Sequence, residues 1–357
     1  MKSYSYIIVF LTALSAIFSC SENEKKELLA EDDFVRSADI SFLPLIEREG
    51  TTFYNNGVPQ DMITTLKSYG CNTVRIRLWK NMTDQQSGMA EVQVLAQRAR
   101  AAGMKVWLTV HYSDSWADPG AQTIPAEWQG LSFNALQSAV AAYTSQIITE
   151  IDPDIIQIGN ETNDGFLWPQ GRLTQNEAQF IELLSAASST IRNQSPTTKI
   201  MLHFAGIDAA EWFFNKVSEI DYDYIGLSYY PMYHGKNLTT LKNLINLLGV
   251  THSKQVLIAE TAYPFTFGYN DLTNNIVGSQ DQIIRTIPAT SEGQLAYMNA
   301  IRDLVESSTY GAGFSYWGGE WVAFRGPQAT NGSSYENQAL YNFENQALPV
   351  MSAFNLR

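Results

Sequence analysis

Cysteine is scarce in this sequence. Two residues, Cys20 and Cys71, occur among 357. Cys20 closes an apolar N-terminal segment and Cys71 opens an apolar run, so neither a disulfide framework nor a thiolate metal site is expected. Histidine is almost as rare, with four residues and no His-x-x-x-His pair. No Asp-x-Asp-x-Asp run is present either, so no metal is expected as a required cofactor. Basic residues are outnumbered, 23 Lys and Arg against 36 Asp and Glu, and form no run. A net charge of −13 argues against nucleic acid and against polyanionic ligands, and fits a neutral one. The chain also lacks internal repeats, an internal linker and a glycine-rich phosphate loop.

The apolar stretch over residues 7–18 is too short to span a bilayer as a mature helix. With Lys2 before it and Ala16-Ile17-Phe18-Ser19-Cys20 after it, it reads as a targeting segment over residues 1–19. Cysteine after small residues resembles the lipobox of bacterial lipoproteins. That resemblance implies lipidation at Cys20, a polar tether over 20–35, and a bacterial cell-envelope location, with anchoring at the outer membrane or cell surface. A soluble secreted protein with an incidental Cys20 is the alternative.

The remaining chain, residues 36–357, alternates short apolar runs with helical patterns. Strands are expected at 38–43, 71–79, 105–112, 154–161, 198–203, 224–231, 256–261 and 311–317. Helices are expected at 61–69, 89–102, 131–150, 175–193 (capped by Thr174), 209–218, 238–248 (ended by Gly249) and 293–307, with a partly helical tail over 336–354. Residues 261–290 read as a long loop. The alternation predicts an α/β fold with a parallel sheet, and eight units predict a single (β/α)8 TIM barrel. An open doubly wound sheet is the rival, and it calls for the glycine-rich loop that is missing.

Two strands end in a carboxylate: Ile158-Gly159-Asn160-Glu161 and Ile258-Ala259-Glu260-Thr261. Barrels of this kind carry their active sites at the C-terminal strand ends. Two glutamates on one rim are the minimum equipment for cleaving a glycosidic bond. One must be a protonated acid while the other is ionised. The other strand ends supply Arg77, Trp79, His111, Asp114, Trp116, His203, Tyr229, Tyr230 and Trp317 as candidates for holding a substrate. In Val74-Arg75-Ile76-Arg77-Leu78-Trp79 the arginines share one face. Arg77 is the expected partner of Glu260, and one of the two arginines is expected in a structural ion pair. A calcium ion near Asp271 is left open.

These stretches carry a family resemblance. Ala38-Asp39-Ile40-Ser41, Val74-Arg75-Ile76-Arg77-Leu78-Trp79, His111-Tyr112-Ser113-Asp114-Ser115-Trp116-Ala117-Asp118-Pro119, Gly159-Asn160-Glu161, Ser228-Tyr229-Tyr230-Pro231 and Ala259-Glu260-Thr261-Ala262-Tyr263-Pro264 are similar to family 53 of the glycoside hydrolases. These are endo-β-1,4-galactanases of a large retaining (β/α)8 clan. The resemblance implies β-1,4-galactan as substrate, Glu161 as acid/base and Glu260 as nucleophile. On that reading Asn160 holds the sugar 2-hydroxyl, Trp116 and Trp317 stack on sugar rings, and the enzyme acts as a monomer. Two departures stand out. Ser37 replaces the usual Gly, and Gly318-Gly319-Glu320-Trp321 replaces the usual Glu-Pro-Ala-Trp. The rivals are a clan-related β-1,4-glycanase such as a mannanase, and a surface lipoprotein that binds glycan without cutting it. The second rival predicts a missing glutamate, and both are present.

Overall fold

The structure is a computed structural model and describes residues 34–82 and 86–356. The targeting segment, Cys20 and the tether to residue 33 lie outside the described residues. Eight parallel strands close into a barrel: β1 (Val35–Asp39), β2 (Thr73–Leu78), β3 (Lys105–Val110), β4 (Ile155–Ile158), β5 (Lys199–Ala205), β6 (Tyr224–Ser228), β7 (Gln255–Thr261) and β8 (Gly311–Tyr316). They pair in chain order. Closure comes from β1, which meets β8 at Val35↔Gly313 and β2 at Ser37↔Thr73. The helices between strands are α1 (Leu43–Arg48), α2 (Met62–Ser68), α3 (Met89–Ala101), α4 (Phe133–Ile151), α5 (Glu177–Gln194), α6 (Ala210–Lys216), α7 (Pro231–His234), α8 (Leu238–His252) and α9 (Ser291–Glu306). The (β/α)8 barrel is the observed architecture. Among the described residues, no helix is long and apolar enough to cross a membrane.

Strand alternation sorts the side chains into two cores. Val74, Ile76 and Leu78 point outward into the cylinder between strands and helices, with Leu95, Ala99, Leu136 and Val140. Val35, Trp107, Ile155, Met201, Leu257, Ala259 and Ala312 plug the barrel interior. Above that apolar plug the interior turns polar, with Arg75, Thr109, Gln157 and His203 all buried. Such groups persist inside a fold only if they satisfy one another, and here they make the floor of the mouth. Cys71 is a free buried thiol, pushed up to about 12 by burial.

Several local expectations shift. β1 begins at Val35, because its pairing with β8 runs over Val35–Ala38 and the chain then turns into α1 with Pro44 in the first turn. Thr174 does not cap α5. Its N–H donates to Asp164 (2.8 Å), and the cap position falls at Asn176. Gly249 does not stop α8, which continues to His252 and ends on a left-handed Ser253. The glycine is a packing residue, since a Cβ there would lie 2.2 Å from that of Tyr310. The long loop after β7 is not loose. Asn337 Nδ2 bonds the carbonyls of Thr266 (2.9 Å) and Val277 (2.7 Å), and Ile276 N–H bonds Ser334 O (2.9 Å).

Candidate active site

A cavity of about 550 Å³ opens at the C-terminal mouth. Arg75, Arg77, His111, Trp116, Asn160, Glu161, Tyr230, Glu260, Trp317, Trp321 and Tyr335 are among its walls. The two glutamates reach it by irregular backbone. At Gly159 φ is +77°, and a Cβ there would lie 2.4 Å from the Thr162 methyl, so only glycine fits. Glu161 itself sits at φ +48°, a left-handed conformation uncommon outside glycine, which turns its side chain over the mouth. Glu260 needs a different device. Leu257 and Ala259 face the interior, so strict alternation would send Glu260 outward. A bulge in β7 shifts the register from Leu227↔Ile258 to Ser228↔Glu260 and re-aims the carboxylate inward.

The two carboxyl groups have different company. Glu260 Oε1 accepts from Arg75 Nη2 (2.7 Å) and Oε2 from the Tyr230 hydroxyl (3.0 Å). Arg75 is itself buried and pairs with Asp39 through Nη1 (2.7 Å). Glu161 has no cation bonded to it. Its Oε1 accepts from Ser228 Oγ (2.6 Å), and among the described residues Oε2 has no protein partner. Burial pushes Glu161 up to about 8, and the neighbouring Glu260 charge pushes the same way. Burial also raises Glu260, but Arg75 opposes it directly. The proton therefore belongs on Glu161 and the negative charge on Glu260.

Arg77 is not the partner of Glu260; Arg75 is. Both arginines face the interior, but Arg75 lies one layer deeper, level with Asp39 and the bulged Glu260. Arg77 donates to Ser87 Oγ (2.7 and 3.0 Å) and lies against Phe42, Trp79 and Trp116, 4.1–4.4 Å from their ring centroids. Burial without an ion pair lowers it to about 10.

His111 Nδ1 accepts from Ala117 N–H (3.0 Å), so Nε2 carries the proton toward the cavity. Burial and the two arginines keep this ring neutral. Asn160 Oδ1 accepts from Arg75 (3.0 Å), and its Nδ2 spends one hydrogen on Ala117 O (2.8 Å), leaving the other for a ligand. Trp116 is 38% exposed and forms an aromatic wall with Trp317 and Trp321, at 6.2 Å from each ring centroid.

Three expected site residues lie elsewhere. Tyr229 points outward into the helix layer, and its hydroxyl bonds Gly235 O (2.7 Å). Asp114 holds its own loop together, accepting from Asn81 Nδ2 and Ala126 N (both 2.8 Å). His203 is fully buried beneath the cavity and touches Gln157, Ser228 and the Glu161 backbone. Sequence reasoning gave no role to Asp39, Ser228 or Tyr335, and offered Tyr230 only as a substrate contact, not as a donor to Glu260. The strand period did place Ser228 and Tyr230 on the inner face. The Gly318-Gly319-Glu320-Trp321 departure buries Glu320 completely, with Oε1 accepting from Phe42 N–H (2.7 Å).

Among the described residues one group has three donors close enough for a metal: Glu161, His203 and Glu260, with one atom of each within 4.8 Å of the others. Its chemistry does not suit a metal. Both His203 nitrogens are engaged by hydrogen bonds, and Glu260 is already neutralised by Arg75. Asp271, where calcium was left open, uses Oδ1 to accept from Thr273 N–H (2.6 Å) and belongs to no such group.

The model of glycosyl hydrolase family 53 matches residues 35–354. An arabinogalactan endo-β-1,4-galactanase of Cellvibrio japonicus is 34% identical, covering 90% of each chain. One of Thermothelomyces thermophilus is 33% identical, covering 89% of this chain and 98% of its own. The family 53 catalytic domain of Ignisphaera aggregans superposes with a TM-score of 0.85 at 34% identity, covering 91% of this chain and 96% of that one.

Proposed function

The chain belongs to glycosyl hydrolase family 53, and from that premise we propose that it is a retaining endo-hydrolase of β-1,4-galactan. One observation carries the mechanism. Oxygens of Glu161 and Glu260 approach within 4.8 Å, while their surroundings hold one protonated and the other ionised. A spacing of roughly 5–5.5 Å goes with direct attack by the second carboxylate, whereas roughly 6.5–9.5 Å leaves room for a water. Glu161 Oε2 gives its proton to the leaving glycosidic oxygen as Glu260 attacks the anomeric carbon. Glu161, now a carboxylate, takes a proton from the water that hydrolyses the galactosyl-enzyme. Asn160 Nδ2 holds the sugar 2-hydroxyl, and the Trp116–Trp317–Trp321 wall stacks on neighbouring rings.

The substrate rests on the galactanase relatives and on an aromatic-walled cleft. Reducing ends released from galactan, mannan, xylan and cellulose test it. Galactan alone should be cut, and equal or greater release from mannan would reassign the substrate. We further propose that lipidated Cys20 anchors the enzyme to the bacterial envelope, at the outer membrane or cell surface. Cys20→Ser should then leave the membrane fraction or stay unprocessed; normal processing with unchanged partitioning would refute the anchor.

A further inference from the structure

Below Glu161 lies a chain of hydrogen bonds whose direction is fixed from its far end. Gln157 Oε1 accepts from Arg75 Nη2 (3.3 Å), so its amide nitrogen faces His203 Nδ1 (2.9 Å) as a donor shared with Gly159 O (2.9 Å) and Asn160 Oδ1 (3.1 Å), and cannot accept from the ring. The Glu161 backbone N–H donates to the same Nδ1 (3.2 Å). An imidazole nitrogen receiving two donors carries no proton of its own. The His203 proton therefore sits on Nε2, which donates to Ser228 Oγ (3.0 Å). The serine hydroxyl, its acceptor side taken, donates to Glu161 Oε1 (2.6 Å). His203 is fully buried, and burial together with the Arg75 charge keeps it neutral.

We propose that Ser228 and His203 are positioning residues for the acid/base, locking Glu161 so that Oε1 only accepts and Oε2 is the atom that holds and delivers the proton. The inference rests on the reading of Glu161 as acid/base. Neither residue has to touch sugar: Ser228 lies under the carboxyl, and His203 lies under Ser228. The relay serves both halves of the reaction. It presents a protonated Oε2 while the bond breaks, and a hydrogen-bonded carboxylate while water attacks. The charged or titratable groups that face Glu161 are Glu260 from β7, Arg75 from β2, Asp118 from the loop after β3, Tyr230 from the segment after β6, and Tyr335 from the segment after β8. None of them lies between Ser228 and Oε1, so removal of the serine hydroxyl acts on the acid itself.

The test uses Ser228→Ala, Ser228→Thr, His203→Gln and Glu161→Ala, each checked for an unchanged melting transition. The substrates are β-1,4-galactobiosides with 2,4-dinitrophenol or methanol as leaving group, assayed across pH. Loss of one charge-directed hydrogen bond should raise the alkaline limb of Ser228→Ala by about one pH unit. The variant should lose about tenfold on the methyl glycoside, with little loss of glycosylation on the dinitrophenyl one. Ser228→Thr, which keeps the hydroxyl, should restore both. His203→Gln should follow Ser228→Ala, because the serine hydroxyl loses its director. A folded Ser228→Ala with an unmoved limb and the same loss on both leaving groups overturns the relay. If Glu161→Ala itself shows no leaving-group dependence, the reading of Glu161 fails instead. Should Ser228→Ala not fold, the limb of Ser228→Thr against wild type decides: a changed limb despite the retained hydroxyl refutes the proposal.

Discussion

At the scale of single residues, the site is an allocation of protons among buried carboxyls. Arg75 bonds both Asp39 and Glu260, and its charge opposes the rise that burial imposes on Glu260. Two acids near the mouth have no such partner, Glu161 at the cavity and Glu320 beneath Phe42, and each is pushed up to about 8 chiefly by burial. Only Glu161 touches the cavity, so kcat/KM should fall on the alkaline side with an apparent value near 8 set by the Glu161–Glu260 pair. Glu320→Gln keeps an oxygen for the Phe42 N–H and removes the competing titration. The variant should retain the limb. If the limb disappears, Glu320 rather than Glu161 controls the pH dependence.

At the scale of elements, the β7 bulge and the β1–β8 seam do the positioning. Gly313 lies on the seam at φ +153°, and a Cβ there would sit 2.3 Å from the carbonyl oxygen of Val35. Backbone cannot yield there as a side-chain tip can, so Gly313→Ala should pry β1 from β8 and cost at least about 1–3 kcal/mol by overpacking. Urea denaturation measures this; an unchanged midpoint would mean that the seam has slack. This scale also marks what the sequence could say. Strands, helices and closure were legible from apolar period and punctuation, because each strand needs an apolar outer face. Continued past the end of β6, period alone sends Tyr230 inward and Tyr229 outward, so of these two candidates only Tyr230 reaches the mouth. Period could not rank Arg75 against Arg77, since both point inward and only their depth in the barrel differs. Nor could it foresee the bulge, which breaks the alternation at the residue that matters most.

At the scale of the whole molecule, buried protons make stability depend on pH. Glu161 and Glu320 have folded values near 8, above their ordinary 4.5, so the folded state holds two protons that the unfolded chain has lost. All four histidines are lowered from their ordinary 6.5, so near that value the unfolded chain binds histidine protons that the folded state lacks, an opposing effect that fades above about pH 7. Between about pH 7 and 8 the carboxyls dominate, and because the folded state binds more protons, stability falls as pH rises through this window. The fall is at most about 3 kcal/mol and flattens above 8. Calorimetric melting should show Tm decreasing from pH 7 to 8, with a shallower slope in Glu320→Gln. A Tm that climbs across this window would contradict the protonation pattern.

The central claim is that Glu161 is the acid/base and Glu260 the nucleophile of a retaining reaction. Azide rescue with an activated β-galactobioside tests it most directly, read as the anomeric configuration of the product by NMR. In Glu161→Ala the nucleophile survives, an α-linked glycosyl-enzyme forms, and azide attacks it from the opposite face to give the β-galactobiosyl azide. In Glu260→Ala azide fills the space of the lost carboxylate and displaces the leaving group once, which gives the α-azide. That pair of anomers is the predicted result, and the same two products with the anomers exchanged would show that the two glutamates have been assigned the wrong way round.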